Sequence, residues 1–345
     1  MSAEDRARPP SMRAWVVAAP GPVDSGPLRL VERAVPVPGP GEVRVRVEVC
    51  GVCRTDLHLC EGDLPVHRPL TVPGHEVVGR VESLGPGCTL LETGARVGVA
   101  WLASTCGRCR FCTSGRENLC VDPRFTGWDV DGGFAEYLVA REDYVYRVPD
   151  FFGDEAAAPL MCAGIIGFRA LRRAELPPRG RLGLYGFGGS AHLTAQVAIA
   201  EGATVHVLTR SDADKALATE LGAASVRGAY ELPPEPLDSA ILFAPAGALV
   251  PVALAALDRG GTLAIAGIHL TDVPTLDYQQ HLFQERTVRS VTANTREDGR
   301  AFLEAAERAA LRPTTTSYAF EDLERALSDL AHDRFNGAAV LRVAN

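Results

Sequence analysis

The stretch RLGLYGFGGSAHLTAQVAIAEGATVHVLTR, residues 181–210, constrains the fold more than any other part of the chain. It reads as a strand, a glycine-rich turn, a helix and a second strand, a βαβ unit of about thirty residues. Gly186, Gly188 and Ala191 fit G-x-G-x-x-G/A, whose third position accepts a methyl where helix and strand pack closely. The turn formed by Gly186, Phe187, Gly188, Gly189, Ser190 and Ala191 would hold a pyrophosphate at the helix N-terminus, where free N–H groups and the dipole favour an anion. The alternation continues with DADKALATELG as helix, LDSAILFAP as strand, LVPVALAALDRGG as helix and TLAIAG as strand. Strands and helices in strict turn predict a doubly wound parallel sheet.

A chain of 345 residues exceeds one ordinary core and suggests two domains. The 46% hydrophobic and 23% charged content suits a soluble globular enzyme. A net charge of -8 argues against nucleic acid or an anionic membrane as partner. No apolar run approaches the roughly 20 residues that span a bilayer. The opening MSAEDRARPP is polar and carries acids, unlike a signal or transit peptide, so the expected location is cytoplasmic.

Cys106, Cys109, Cys112 and Cys120 stand in CGRCRFCTSGRENLC. Thiols three residues apart seldom meet disulfide geometry. The spacing C-x2-C-x2-C-x7-C instead suits one tetrahedral Zn²⁺ held by four thiolates, a closed structural site. An iron–sulfur cluster is the rival, but the distant fourth Cys lacks the following Pro of that pattern. Other chemistry-bearing residues are scattered. EVRVRVEVC alternates apolar and polar residues as a half-buried strand ended by Gly51, with Cys53 on the turn beyond. VPGHEVVGRV brings His75 and Glu76 into a second β-like run, and Cys162 opens a helix in AAPLMCAGIIGFRAL. Singly these are core residues; together they supply two thiolates and an imidazole, a three-ligand set that leaves a fourth zinc position open.

With these motifs in order, GVCRTDLH, PGHEVVG, the four-Cys lobe, DGGFAEY, CAGIIGFRAL, the Gly-rich turn and GAAVL, the chain resembles the zinc-dependent alcohol dehydrogenases of the medium-chain dehydrogenase/reductase superfamily, in their bacterial and yeast-type branch. The resemblance covers nearly the whole chain. It implies an α/β protein: a Rossmann-type domain over 161–294 and a mainly β, GroES-like catalytic domain over 1–160 and 295–345, whose zinc lobe spans about 104–122. It implies two zinc ions per chain, a catalytic one on Cys53, His75 and Cys162 with Glu76 as a carboxylate behind the metal, and a structural one on the lobe. Thr55 matches the hydroxyl that takes the alcohol proton, and His58 the outer end of that relay. Asp56 fits a carboxylate that orients His75, and Arg54 a contact to the cofactor pyrophosphate. The implied activity is interconversion of alcohols with aldehydes or ketones by hydride transfer to or from a nicotinamide cofactor. The implied assembly is a homodimer or homotetramer.

Three departures matter. Leu64 stands where yeast-type members carry a pocket-narrowing Trp, while Trp101 is retained as a pocket wall; medium-chain or aromatic primary alcohols are therefore expected. Ala338 replaces an Arg near the pyrophosphate in many relatives. The second strand ends in Thr209, Arg210 and Ser211 instead of an acid; a guanidinium can pair with a 2′-phosphate, so NADP(H) is favoured and NAD(H) is the alternative. A polyol or sugar dehydrogenase of the same superfamily is the rival enzyme, and a zinc-ribbon binding module the rival from another class. Cys50 is expected to be buried at its strand end, Cys60 to lie in a loop, and Cys88 has no assigned role.

Overall fold

The computed structural model describes residues 10–267 and 270–344; the polar start of the N-terminal segment and positions 268 and 269 lie outside the described residues. Six parallel strands form one sheet in the spatial order 225–227, 204–208, 181–185, 237–242, 257–265 and 287–290. This order reverses direction at Arg181–Tyr185, the switch point of a Rossmann sheet, where ligands bind beyond the carboxyl ends of the strands. The predicted helices are Gly189–Ala200, Asp212–Glu220 and Leu249–Ala256. The last is shorter than its apolar run suggests. Leu257 already pairs with Leu237, and the register then slips so that Thr262 faces Ser239, with Gly260 left-handed at φ +71° between them. The strand therefore starts five residues before TLAIAG.

A seven-stranded, mainly antiparallel sheet forms the second core, ordered 315–319, 338–342, 42–52, 76–84, 96–99 and 145–147, with 137–141 also pairing to 42–52. Strand Glu42–Val52 does not end at Gly51: Gly51 pairs with Glu76, and a Cβ there would lie 1.9 Å from Glu76 Oε2. Glycine is needed for the carboxylate to fit, and the strand runs on to Val52, the residue before Cys53. Cys60 is not in a loop either. It is wholly buried in helix Arg54–Glu61, one turn after Leu57 and facing the same core. Cys50 is buried as expected. Strand Thr315–Ala319 and helix Leu323–Ala331 were not predicted; the chain returns through them before its last strand. Among the described residues no helix is long and apolar enough to cross a membrane.

The lobe is pinned to the segment that leads back from the Rossmann sheet. Arg296, first residue of helix Arg296–Arg308, pairs with both oxygens of Glu117 at 3.0 and 2.8 Å, reaches Asp143 at 3.0 Å and lies over the Tyr144 ring. Its own N–H also donates to Glu117, and Asn118 Nδ2 donates to the Thr292 carbonyl. Burial raises the Glu117 pKa, but the hydrogen bonds and charge of Arg296 outweigh burial and hold the carboxyl below its ordinary range. A depressed carboxylate pKa stabilises the folded state above the unfolded value of about 4.3, and that contribution fades as pH falls through the folded value. Glu117→Gln should therefore cost about 2 kcal/mol at pH 7 and distinctly less near pH 4, measured by denaturant unfolding. An equal cost at both pH values would contradict this role.

Candidate metal centre and cofactor cleft

Strand Glu42–Val52 delivers Cys53 as the N-cap of helix Arg54–Glu61, and Asp56, three residues into that helix, closes a capping box on it. The Asp56 carboxylate is fully buried and accepts from Cys53 N at 2.9 Å, Gly74 N at 3.0 Å and His75 Nδ1 at 3.0 Å. With Nδ1 held by Asp56, His75 turns Nε2 toward the cluster, where that atom is buried and unpaired among the described residues. A buried imidazole nitrogen whose partner ring nitrogen is held by a carboxylate suits a metal ligand. The ligand atoms of Cys53, His75, Glu76 and Cys162 all lie within 4.8 Å of one another, Cys162 arriving as the N-cap of helix Ala163–Arg173. A hydrogen bond from Cys162 holds Cys53 well below the ordinary thiol range, with His75 helping. Burial and the charge of Cys53 push the Glu76 carboxyl up. Two thiols, an imidazole and a carboxylate fit zinc.

In the lobe, the sulfurs of Cys109 and Cys112 are 3.5 Å apart, and Cys106–Cys112 and Cys109–Cys120 each 4.0 Å. Four thiolates around zinc at 2.3 Å would sit about 3.8 Å apart. All nine cysteines are free. Backbone N–H groups of Cys112 and Val121 draw Cys109 down to about 6, towards the thiolate a metal needs. This cluster too fits zinc.

The proposed relay residues flank Cys53. Thr55 is buried with Oγ1 at 3.8 Å from Cys53 Sγ. His58 lies on the next turn, nearer solvent, with Nδ1 at 2.8 Å from Asp63 Oδ2. His58, Glu61 and Asp63 make a third, more exposed cluster. Arg54 is exposed and pairs with Asp333 at 2.5 Å. Trp101 meets His75 edge-on at 4.8 Å and stacks with Phe125 and Trp128. Trp128 in turn stacks on His67 at 4.2 Å and, with Leu59, Leu64 and Val66, lines an apolar cavity of about 240 Å³. Trp128 escaped sequence reasoning; its signal is a lone large ring inside the turn-rich stretch TGWDVDGG.

The glycine-rich turn follows strand Arg181–Tyr185. Gly186 adopts φ +86° and would bring a Cβ to 3.0 Å from Ala244 N, so no other residue suits it. Gly188 is the N-cap of Gly189–Ala200 and no side chain caps that helix, which leaves its first N–H groups open. Phe187 and Ala191 are buried beneath the turn, while Gly189 and Ser190 lie higher. Thr209 is buried and donates to Asp214 Oδ2 at 3.2 Å, and Ser211 caps helix Asp212–Glu220 by accepting from Asp214 N. Arg210 is exposed, and among the described residues it makes no ion pair; Asp212 instead pairs with Lys215. Ala338 opens the last strand and donates its N–H to the Thr314 carbonyl.

Residues 39–150 match the alcohol dehydrogenase GroES-like domain. Over 338 residues, 96% of this chain and 98% of the relative, the sequence is 57% identical to "Probable alcohol dehydrogenase AdhA" of Mycobacterium tuberculosis. The chain belongs to the zinc-dependent alcohol dehydrogenases. Among solved structures, a cinnamyl alcohol dehydrogenase of Sorghum bicolor is similar with a TM-score of 0.87 and 28% identity, over 96% of this chain and 98% of that one. The acetophenone reductase of Geotrichum candidum in complex with NAD is similar with a TM-score of 0.87 and 26% identity, over 97% and 98%. This dehydrogenase thus interconverts alcohols and carbonyl compounds with zinc and a nicotinamide cofactor. Asp56→Asn leaves a single side-chain oxygen to serve three N–H groups, so the zinc beside it should bind ten- to a hundredfold more weakly while the lobe zinc stays. Chelator competition measures both; unchanged affinity at both sites would refute the role given to Asp56.

Proposed function

We propose that this alcohol dehydrogenase acts on medium-chain or aromatic primary alcohols and their aldehydes, with NADP(H) preferred over NAD(H). The observation that carries the substrate reading is the apolar cavity walled by Leu64 and Trp128, whose ring stacks on Trp101, the ring that meets zinc-ligand candidate His75 edge-on. A cavity of about 150 Å³ already holds a benzene ring, so this one has room for an aryl or hexyl tail. The sorghum and Geotrichum neighbours, by their names, handle aryl-bearing substrates, which agrees.

When bound, zinc supplies a Lewis acid that lowers the pKa of the alcohol hydroxyl, and the nicotinamide supplies hydride chemistry. In our reading Cys53, His75 and Cys162 hold that metal, with Glu76 as an alternate ligand. Cys106, Cys109, Cys112 and Cys120 hold the second ion. Asp56 orients His75 by accepting its Nδ1 proton. Thr55 takes the alcohol proton beside the metal, and His58 passes it outward. Gly186 to Ala191 bind the pyrophosphate through open N–H groups. Arg54 joins them once it leaves Asp333, an acid whose field also reaches Asp214 across the cleft.

The division into a catalytic domain, 1–160 with 295–345, and a nucleotide domain, 161–294, is supported by strand membership. Strands 181–185 to 287–290 share one sheet, whereas 315–319 and 338–342 join that of 42–52. Nine cysteines with no disulfide among them favour a reducing, cytoplasmic setting. The outer strand Thr287–Ser290, with exposed Val288, Tyr278 and Phe283 near it, offers an edge for a homodimer or homotetramer.

NADP(H) preference rests on Arg210, a guanidinium without an ion-pair partner among the described residues. NAD(H) use is favoured by one opposing feature: the Asp214 carboxylate, held by Thr209 at the end of the same strand. Arg210→Asp should lower kcat/KM for NADPH by one to a few orders of magnitude and barely change that for NADH. Wild-type enzyme that prefers NADH tenfold or more would overturn the assignment. On substrates, each buried CH2 is worth roughly 0.8 kcal/mol, about a factor of four, so kcat/KM should climb from ethanol to hexanol and benzyl alcohol. A steady fall along that series would exclude the pocket reading.

A further inference from the structure

His192 lies in the first turns of helix Gly189–Ala200, immediately after the glycine-rich fingerprint, and is completely buried. Its ring bridges two parts of the molecule. Nδ1 is 3.2 Å from the carbonyl oxygen of Gly188, and Nε2 is 3.4 Å from the backbone nitrogen of Thr314. These partners fix one neutral tautomer: Nδ1–H donates to Gly188, and Nε2 accepts from the Thr314 N–H. Burial pushes the ring down to about 4, so it stays neutral and Nε2 stays an acceptor at physiological pH.

The Gly188 carbonyl also accepts the backbone N–H of His192 at 3.1 Å. Both lone pairs of that oxygen are therefore turned into the helix by one residue. A carbonyl oxygen that rotated outward would face the anion the turn has to bind, and would repel it. The open N–H groups that follow Gly188 have no such conflict.

Thr314 belongs to the other domain's framework. Its carbonyl accepts from Ala338 N at 2.9 Å, and Gly337, at φ +78°, has to be glycine because a Cβ there would strike that carbonyl at 2.2 Å. Ala339 then pairs with Val52, the residue before Cys53. Gln196, one turn on, repeats the docking through Arg312, whose N–H it accepts at 2.8 Å. A short run of backbone thus connects the cofactor turn with the strand that presents Cys53.

We propose that His192 is a positioning residue for cofactor binding: anchored on Thr314, it holds the Gly188 carbonyl away from the pyrophosphate and sets the glycine-rich turn against the catalytic sheet. The inference rests on the reading that Gly186 to Ala191 bind the pyrophosphate.

Three variants of the zinc-loaded protein test it, with Kd for NADPH and NADH from nicotinamide fluorescence and with thermal midpoints taken without cofactor. His192→Leu removes both ring bonds. His192→Asn can put an amide where Nδ1 stood and keep the Gly188 bond. His192→Gln can put one where Nε2 stood and keep only the Thr314 bond. We expect Leu and Gln to raise Kd at least tenfold, with KM for cofactor rising and kcat at saturation within about twofold, and Asn to stay within threefold of wild type. Should the Leu protein not fold, the Asn and Gln pair decides, because equal affinities there overturn the proposal. Affinity in Leu within twofold of wild type also overturns it, as does a loss that follows the thermal midpoint across all three variants. Wild-type protein that binds neither nucleotide would overturn the underlying cofactor reading instead.

Discussion

A single buried carboxylate organises the catalytic end of this molecule. Asp56 accepts from Cys53 N, Gly74 N and His75 Nδ1, so one side chain fixes two residues of the metal cluster and the turn between them. An isolated buried charge is costly, and Asp56 is fully buried. Three N–H donors offset that cost, and a cation beyond His75 would offset more. The arrangement works only because Gly51 and Gly74 give up their side chains: a Cβ on Gly51 would meet Glu76, and one on Gly74 would come within 2.7 Å of Phe134 N. The metal cluster is thus set by backbone geometry as much as by its ligands.

Three contacts carry that geometry outward. The Rossmann switch point and the Cys53 strand meet through His192, Thr314 and the last strand. The lobe reaches the returning chain through Glu117 and Arg296, which gives a closed zinc site a mechanical purpose away from catalysis. Arg54 and Asp333 close the third approach, beside Asp214.

Much of this was legible in the sequence, for reasons that can be named. The βαβ unit was legible because Gly186 needs a backbone few residues adopt and the flanking runs have the right periods. The lobe was legible because its four thiols are close in sequence. Cys53, His75 and Cys162 are far apart, and no periodicity joins them; the family resemblance supplied the set, and the structure brings their atoms together. Other features depend on contacts that sequence spacing does not encode. Cys60 looked like a loop residue because its helix is short and polar, yet its face is buried. The early start of strand Leu257–Ile265 follows from pairing with Leu237 and a slip around Gly260. His192 reads as one more residue of an apolar helix until Thr314, far along the chain, supplies its partner.

Zinc content per chain, measured on freshly purified protein and on Cys53→Ala and Cys109→Ser variants, tests the central claim most directly. The account predicts two ions in the wild type. Cys53→Ala should keep one ion and its fold but lose turnover, whereas Cys109→Ser should lose the lobe ion together with stability. One zinc per chain in the wild type, or a Cys53→Ala protein that keeps both ions, would contradict it.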